Sequence, residues 1–283
     1  MRLVRFGPKD DERPGVIGTD GMLYDVSGHV STFSGEFFAG SWRETLALAL
    51  KSAPARKLDK SVRLGVPITG VSKIVGLGMN YHEGVRRAGM TTPAEPLLFI
   101  KSTTCLAGPD DPIVLPPSAE KLDWEVELAV VIAREASRLA PEQVGAAILG
   151  YSVFNDLSER KWQNEQGGEW CKGKSADGFG PCGPWLVTAD EIADPETLDI
   201  WLSLNGTPCQ RSNTSDMIFS VRFAIAYISQ FMRLMPGDIV IMGTPPGTGW
   251  RQAPPRFLRA GDRLSLGISG LGEQHTIVET AAR

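Results

Sequence analysis

Three acidic residues stand at spacings that can do chemistry. In the run Asp123-Trp-Glu-Val-Glu-Leu-Ala-Val-Val-Ile, only Val126 separates Glu125 from Glu127. On a strand, alternate side chains share a face, so the two carboxylates project together. Val126, Leu128, Val130 and Ile132 then turn toward apolar packing on the other face. Two carboxylates on one side repel unless positive charge lies between them, and a divalent cation meets that need. A second run, Gly150-Tyr-Ser-Val-Phe-Asn-Asp-Leu-Ser-Glu-Arg, ends near Asp156, a third oxygen donor. Three carboxylates plus waters suit magnesium, with manganese or calcium as substitutes. A solvent-facing acidic strand edge accounts for Glu-x-Glu as well, since surface charge is the ordinary case. With three histidines (His29, His82, His275) and four scattered cysteines (Cys105, Cys171, Cys182, Cys209), a zinc site is disfavoured.

The elements that must hold these residues read as mostly strand. Residues 74–78, 126–132, 148–154, 200–204, 238–242 and 264–268 are β-branched or apolar runs bounded by Gly, Pro and Asp. Helices are expected at 141–148 and 217–231. The first 65 residues read as a small β-rich domain, with a strand at 3–6, a hairpin over 14–26 and a short helix from Trp42. Residues 54–60 form a polar connector, and 66–283 form the catalytic domain. The fold class expected is α+β, mostly β, with 31 glycines and 20 prolines serving long loops.

A net charge of −4 gives no footprint for nucleic acid. No apolar stretch reaches the ~18 residues of a membrane span, and the charged start does not read as a signal peptide. Unpaired cysteines and these absences point to a cytoplasmic protein.

Ten ordered segments carry a resemblance to a known family. They are Gly76-Leu-Gly-Met-Asn-Tyr, Phe99-Ile-Lys-Ser, Gly108-Pro-Asp-Asp-Pro-Ile, the two runs above, Gly173-Lys-Ser-Ala-Asp, Gly180-Pro-Cys-Gly-Pro-Trp, Asn213-Thr-Ser-Asp-Met, Leu234-Met-Pro-Gly-Asp and Gly243-Thr-Pro-Pro-Gly. Across residues 72–272 the chain resembles the fumarylacetoacetate hydrolase family. The resemblance implies a mixed β-roll body, a homodimer and a small 2-keto acid substrate. It makes Glu125, Glu127 and Asp156 the metal ligands and Lys174 the active-site lysine, able to stabilise an enolate and protonate the departing carbon. It places Thr244 in the loop that holds the substrate's carboxylate end, with Tyr81, Gln163 and Arg160 near the substrate. Arg160 is equally readable as a structural ion pair.

One segment departs from the family text. After Asn-Tyr the family has two residues, then His, two more, then Glu, a pair read as the base that activates water. Here Gly84 and Arg87 stand at those positions, and His82 and Glu83 come two and four residues early. Three readings stand open: His82 or Glu83 supplies the base, with Glu83 favoured if apolar walls raise its pKa; the metal or its ligands activate water; or hydrolysis is lost. A general base contributes ~10²–10⁴-fold. Arg86 and Arg87 add positive charge near the mouth, for a hydroxylated or anionic tail.

The function expected is hydrolysis of a 2,4-diketo acid to pyruvate and a small acid, with a 2,4-diketo-3-deoxy-rhamnonate or -fuconate as one substrate. The alternatives are a 2-keto acid decarboxylase, lyase or isomerase, and a non-catalytic binding protein that keeps the metal pocket.

Overall fold

The computed structural model describes residues 1–57 and 62–281. Ten strands form the main path of a twelve-stranded sheet. In chain order they are β1 (Arg2–Phe6), β2 (Arg13–Ile17), β3 (Met22–Asp25), β4 (Ala55–Lys57), β5 (Ile74–Gly78), β6 (Leu97–Lys101), β7 (Val126–Ile132), β8 (Ile148–Asn155), β9 (Gly180–Thr188) and β10 (Ile239–Ile241). Their spatial order is β4-β3-β2-β1-β9-β8-β7-β10-β5-β6. A second sheet of five strands packs on the first, ordered Thr207–Asn213, Asp199–Leu204, Arg263–Ile268, Gly272–Thr280 and Ile113–Leu115. Gln274 ties the two layers: its amide donates to the carbonyls of Val153 (3.0 Å) and Gly183 (3.1 Å). The chain is mostly β, as expected.

The central strands are buried on both faces, which explains their unbroken apolar text. In β7, Leu128, Ala129, Val130, Val131 and Ile132 are all fully buried. Residues from both faces thus enter the core, and the expected alternation survives only where the strand starts, at Glu125 and Glu127. The helix Val221–Phe231 begins at Ser220, whose hydroxyl accepts from the Phe223 N–H (3.2 Å). It buries Val221, Ile225 and Ile228 and leaves Phe223 and Phe231 outside. It starts four residues later than the expected 217, because residues 214–216 form a separate 3₁₀ turn. The 141–148 segment is likewise a 3₁₀ helix, Pro141–Ala147.

The amino-terminal strands do not form a sheet of their own. β1 pairs antiparallel with β9 (Arg2↔Val187, Leu3↔Leu186), so hydrogen bonding crosses the boundary drawn at residue 65. Residues 1–65 as a separate folding unit therefore stand as a proposal. Of the expected connector, Ala55–Lys57 is the edge strand β4 on β3, and residues 58–60 lie outside the described residues. β9 was not evident in the sequence, since Gly180-Pro-Cys-Gly-Pro reads as turn text.

Gly150 lies where β8 meets β9, and a Cβ there would come 2.0 Å from the Val187 carbonyl oxygen. That atom belongs to a paired strand and cannot step aside. Gly150→Ala is expected to destabilise the protein by about 1–3 kcal/mol, as overpacking does, read as a lower urea midpoint at unchanged slope.

Candidate active site

The site is built where two neighbouring strands end together. The β7–β8 pairing runs Val126↔Asn155 and Glu127↔Phe154, and the Asp156 N–H continues it by donating to the Glu125 carbonyl (2.8 Å). Register alone thus brings Asp156 beside Glu125 and Glu127. One carboxylate oxygen from each of the three lies within 4.8 Å of the others, and all three residues are buried.

Three buried cations answer these acids. The Lys174 ammonium donates to Glu125 Oε2 (2.7 Å), Asp156 Oδ2 (2.5 Å) and Ser158 Oγ (2.7 Å). Lys101 donates to Asp156 Oδ1 (2.7 Å) and to the Phe179 (3.0 Å) and Lys174 carbonyls. Arg160 reaches Glu125 Oε1 (2.6 Å), Asp123 Oδ2 (2.9 Å) and Gln163 Oε1 (2.9 Å). Glu127 makes no ion pair among the described residues; its Oε2 accepts only the Gly243 N–H (2.7 Å). The electrostatics follow. Burial works upward on Glu125, but Arg160 and Lys174 outweigh it and hold its carboxyl down to about 2. Burial, with Asp156 and Glu125 alongside, pushes Glu127 well above the usual carboxylate range. Burial would also lower Lys174, but Asp156 and Glu125 raise it, so it remains an ammonium.

Of these groups, Glu125, Glu127, Arg160, Gln163 and Lys174 open on a cavity of about 430 Å³. Leu77, Met79, Val85, Leu97, Phe99 and Trp170 supply apolar wall, and Arg87 and Arg251 lie among its cationic lining. The Lys174 ammonium stands 4.9 Å from the Phe99 ring centroid. The Tyr81 hydroxyl is buried without a hydrogen-bond partner. Burial, Glu127 and Asp216 raise its pKa, so it is a donor.

The 243–247 loop is fixed from behind. Gly243 adopts φ +86, a conformation other residues resist. Gln210 accepts from the Val126 N–H (3.2 Å) and donates to Thr244 Oγ1 (2.8 Å) and the Pro245 carbonyl (2.7 Å). Thr244 donates its hydroxyl hydrogen to the Val126 carbonyl (2.9 Å), so in this state that hydroxyl secures the loop. Thr244 still lines the cavity, as do Tyr81, Arg160 and Gln163. Arg160 makes the ion pairs foreseen for it and also lines the cavity.

The expected base needs correction. Residues 82–87 form a helix, not an extended loop, and Asp216 caps it by accepting the Glu83 N–H (3.1 Å). Gly84, Val85, Arg87 and Ala88 line the cavity; His82 and Glu83 do not. His82 is exposed. Glu83 is not walled by apolar groups: its carboxylate takes hydrogen bonds from Arg86 and from Arg87 Nε (2.6 Å), which hold its pKa below the ordinary value. Arg86 turns away with Glu83, leaving Arg87 to face the cavity. Helical spacing puts residues 84, 85 and 88 on the face turned to the cavity, and Arg87 lines it while still pairing with Glu83 one turn away. Lys101, Asp123 and Gln210 were missed. The first two stood inside quoted motifs, but nothing in a sequence says which buried lysine meets which carboxylate.

A mostly β body carries a buried triple-carboxylate site beside a lysine, a donor set that could hold a divalent metal. The family model for the carboxy-terminal part of fumarylacetoacetate hydrolase matches residues 73–279. The chain belongs to the fumarylacetoacetate hydrolase family. A relative from Burkholderia lata, named only as a hydrolase, is 44% identical over 275 residues, 97% of each chain. Among solved structures, the chain resembles fumarylacetoacetate hydrolase from Exiguobacterium antarcticum (TM-score 0.86, 30% identity, 99% of both chains). It also resembles maleylpyruvate hydrolase from Sphingobium sp. SYK-6 in complex with manganese(II) and pyruvate (TM-score 0.82, 30% identity, 100% of both). A third neighbour is 5-carboxymethyl-2-hydroxymuconate delta-isomerase from Mycobacterium smegmatis (TM-score 0.79, 30% identity, 100% of both).

The donor set fits a divalent cation. The oxygens are hard, they converge, and Glu127 is short of positive charge. Titration of the metal-free protein is expected to show binding that tightens as pH rises, because Glu127 must first lose the proton that its raised pKa retains. Calorimetry in buffers of different ionisation enthalpy checks the proton release. Glu127→Gln should weaken binding while leaving the thermal transition cooperative.

A second expectation concerns the helix. His82→Asn and Glu83→Gln should both escape the ~10²-fold fall in kcat that loss of a general base brings. Such a fall in either, measured on an active substrate, would restore that residue as the base.

Proposed function

We propose that the chain hydrolyses a carbon–carbon bond of an acylpyruvate, a 2,4-diketo acid, to pyruvate and a second carboxylic acid. The observation that carries this reading is a cavity lined by Glu125, by Glu127, which lacks an ion pair among the described residues, and by the buried Lys174 ammonium, with Asp156 converging on them from behind. Water adds to the C4 carbonyl, the C3–C4 bond breaks, and the electron pair left on C3 takes a proton to give pyruvate. Magnesium, or manganese as in the maleylpyruvate hydrolase complex, would be held by Glu125, Glu127 and Asp156 and would supply positive charge to the oxygens of the 2-keto acid. Lys174 offsets the enolate charge and delivers the proton at C3. Tyr81 offers its unpartnered hydroxyl to a substrate oxygen. Among the carboxylates lining the cavity, Glu127 has one oxygen without a hydrogen-bond partner, and that oxygen is open to the metal, which would acidify the attacking water.

The tail of the substrate is bounded by the walls. Leu77, Met79, Val85 and Leu97 favour hydrocarbon over the hydroxyls of a 3-deoxy sugar acid, so the rhamnonate and fuconate derivatives gain no support from the lining. We further propose a cytoplasmic homodimer. Phe223, Tyr227 and Phe231 form an aromatic ladder on one helix, with Phe231 66% exposed, and such a patch suits an interface. No helix among the described residues is long and apolar enough to cross a membrane.

One observation favours a second reading. The helix positions that line the cavity carry Gly84, Val85 and Arg87, so this helix presents no base to it. Isomerisation or decarboxylation of a 2-keto acid needs enolate stabilisation and carbon protonation without activated water.

Incubation with acetylpyruvate, a longer acylpyruvate and oxaloacetate in magnesium, with pyruvate, acid and carbon dioxide quantified, separates these readings. Equal yields of pyruvate and acid are expected. Carbon dioxide from oxaloacetate alone would move the assignment to decarboxylation, and binding without turnover would leave a ligand-binding role. Lys174→Met should lower kcat by at least ~10²-fold with a smaller effect on KM, because the ammonium acts on charge that develops in the transition state. An unchanged kcat with raised KM would reduce the lysine to a binding group.

A further inference from the structure

The strand that carries two of the site's acids is left open where its neighbour departs. β10 pairs with β7 at Val131, Val130 and Ala129, and the Met242 N–H still donates to the Leu128 carbonyl (3.0 Å). Gly243 then turns the chain away at φ +86. Val126, between Glu125 and Glu127, lies beyond this ladder and is fully buried. Its N–H and carbonyl would be costly if they stayed unpaired.

Two side chains stand in for the missing strand. Gln210 accepts the Val126 N–H (3.2 Å), and Thr244 donates its hydroxyl hydrogen to the Val126 carbonyl (2.9 Å). The Gln210 amide nitrogen donates onward to Thr244 Oγ1 (2.8 Å) and the Pro245 carbonyl (2.7 Å). Gln210 comes from the second sheet. There Leu202 pairs with Gln210 and Ser203 with Pro208, so Cys209 is an extra residue in the strand Thr207–Asn213. A bulge of this kind re-aims the side chain beside it. The 243–247 loop sits on the same strand, since a Cβ on Gly247 would come 2.0 Å from the Cys209 carbonyl oxygen.

The clamped loop presents the Gly243 N–H to Glu127 Oε2 (2.7 Å), the one hydrogen bond to that carboxylate among the described residues. Fixing one oxygen of a carboxylate aims the other, and partners of this kind change metal affinity by ~10–100-fold. We infer that Gln210 is a positioning residue for Glu127: by tying the 243–247 loop to Val126, it keeps the Gly243 N–H on Oε2 and leaves Oε1 directed at a cation. The inference rests on the metal reading of the carboxylate trio. Gln210 itself does not line the cavity and acts only through the loop.

The test is manganese(II) binding to the metal-free protein, read by calorimetry and by the electron paramagnetic resonance of the free ion, with no turnover required. Q210M keeps the length of the side chain and removes its three hydrogen bonds. It is expected to weaken binding by about tenfold or more. Q274M is the control, because Gln274 also ties the two sheets, through the Val153 and Gly183 carbonyls, without touching the loop. Its manganese affinity should stay at the wild-type value. T244V breaks the same clamp from the loop side, so the double variant Q210M/T244V should bind no more weakly than the weaker single variant. Wild-type affinity in Q210M, equal losses in Q210M and Q274M, or additive losses in the double variant would each overturn the inference. Should Q210M not fold, T244V carries the test, and unchanged manganese affinity there would overturn it. A wild-type protein that binds no manganese would instead remove the metal reading, and this inference with it.

Discussion

The structure depends on negative charge packed where water does not reach. Asp123, Glu125, Glu127 and Asp156 are all buried within a short stretch of two strands, and an isolated buried carboxylate costs several kcal/mol. Lys101, Lys174 and Arg160 keep the arrangement intact, each touching at least one of these acids. They come from three separate parts of the chain: Lys101 from β6, Arg160 from the start of the helix Arg160–Asn164, and Lys174 from the end of the helix Trp170–Lys174. Neutralising the acids therefore fixes where those elements sit. Removing a single partner would leave an uncompensated charge in the core, so the cluster acts as a unit.

Around that constraint, the ordered motifs divide between chemistry and carpentry. Asp238, in Leu234-Met-Pro-Gly-Asp, accepts from the N–H groups of Lys73 and Met235 and pairs with the Lys73 ammonium, so it holds a chain crossing rather than a ligand. Asn80 bonds the Phe219 N–H and the carbonyls of Phe219 and Met242, which locks the entry to the 82–87 helix. Asp216 caps that same helix. A residue in a matched motif is thus as apt to place another residue as to react, and only its contacts distinguish the two.

Local text made much of this legible. Glu125, Glu127 and Asp156 converge because strand alternation and antiparallel register are short-range rules, and both are visible in 123–132 and 150–160. The buried central strands were readable from their apolar runs. The rest required information a sequence does not display. β9 hides among glycines and prolines, and the three-residue strand β4 lies in polar text. The orientation of residues 82–87 turned on helix against loop, and a six-residue helix with no side-chain cap of its own gives little signal. Lys101 and Asp123 acquire meaning only through partners 55 and 37 residues away.

The pairing of β1 with β9 reaches beyond architecture into synthesis. Arg2 lies opposite Val187, so during synthesis β1 waits for a partner some 185 residues behind it. At about 5–20 residues per second, that interval is on the order of ten to forty seconds. Residues 64–65 can cover the carboxy-terminal end of β1 early, but the end at Arg2 and Leu3 keeps unpaired N–H and carbonyl groups until β9 arrives, a template on which nascent chains misassociate. Arg2 sets a charged side chain at this end, a common means of keeping a waiting strand from joining its neighbours. Yield in a crowded translation system would thus answer to a side chain that is no part of the cavity lining.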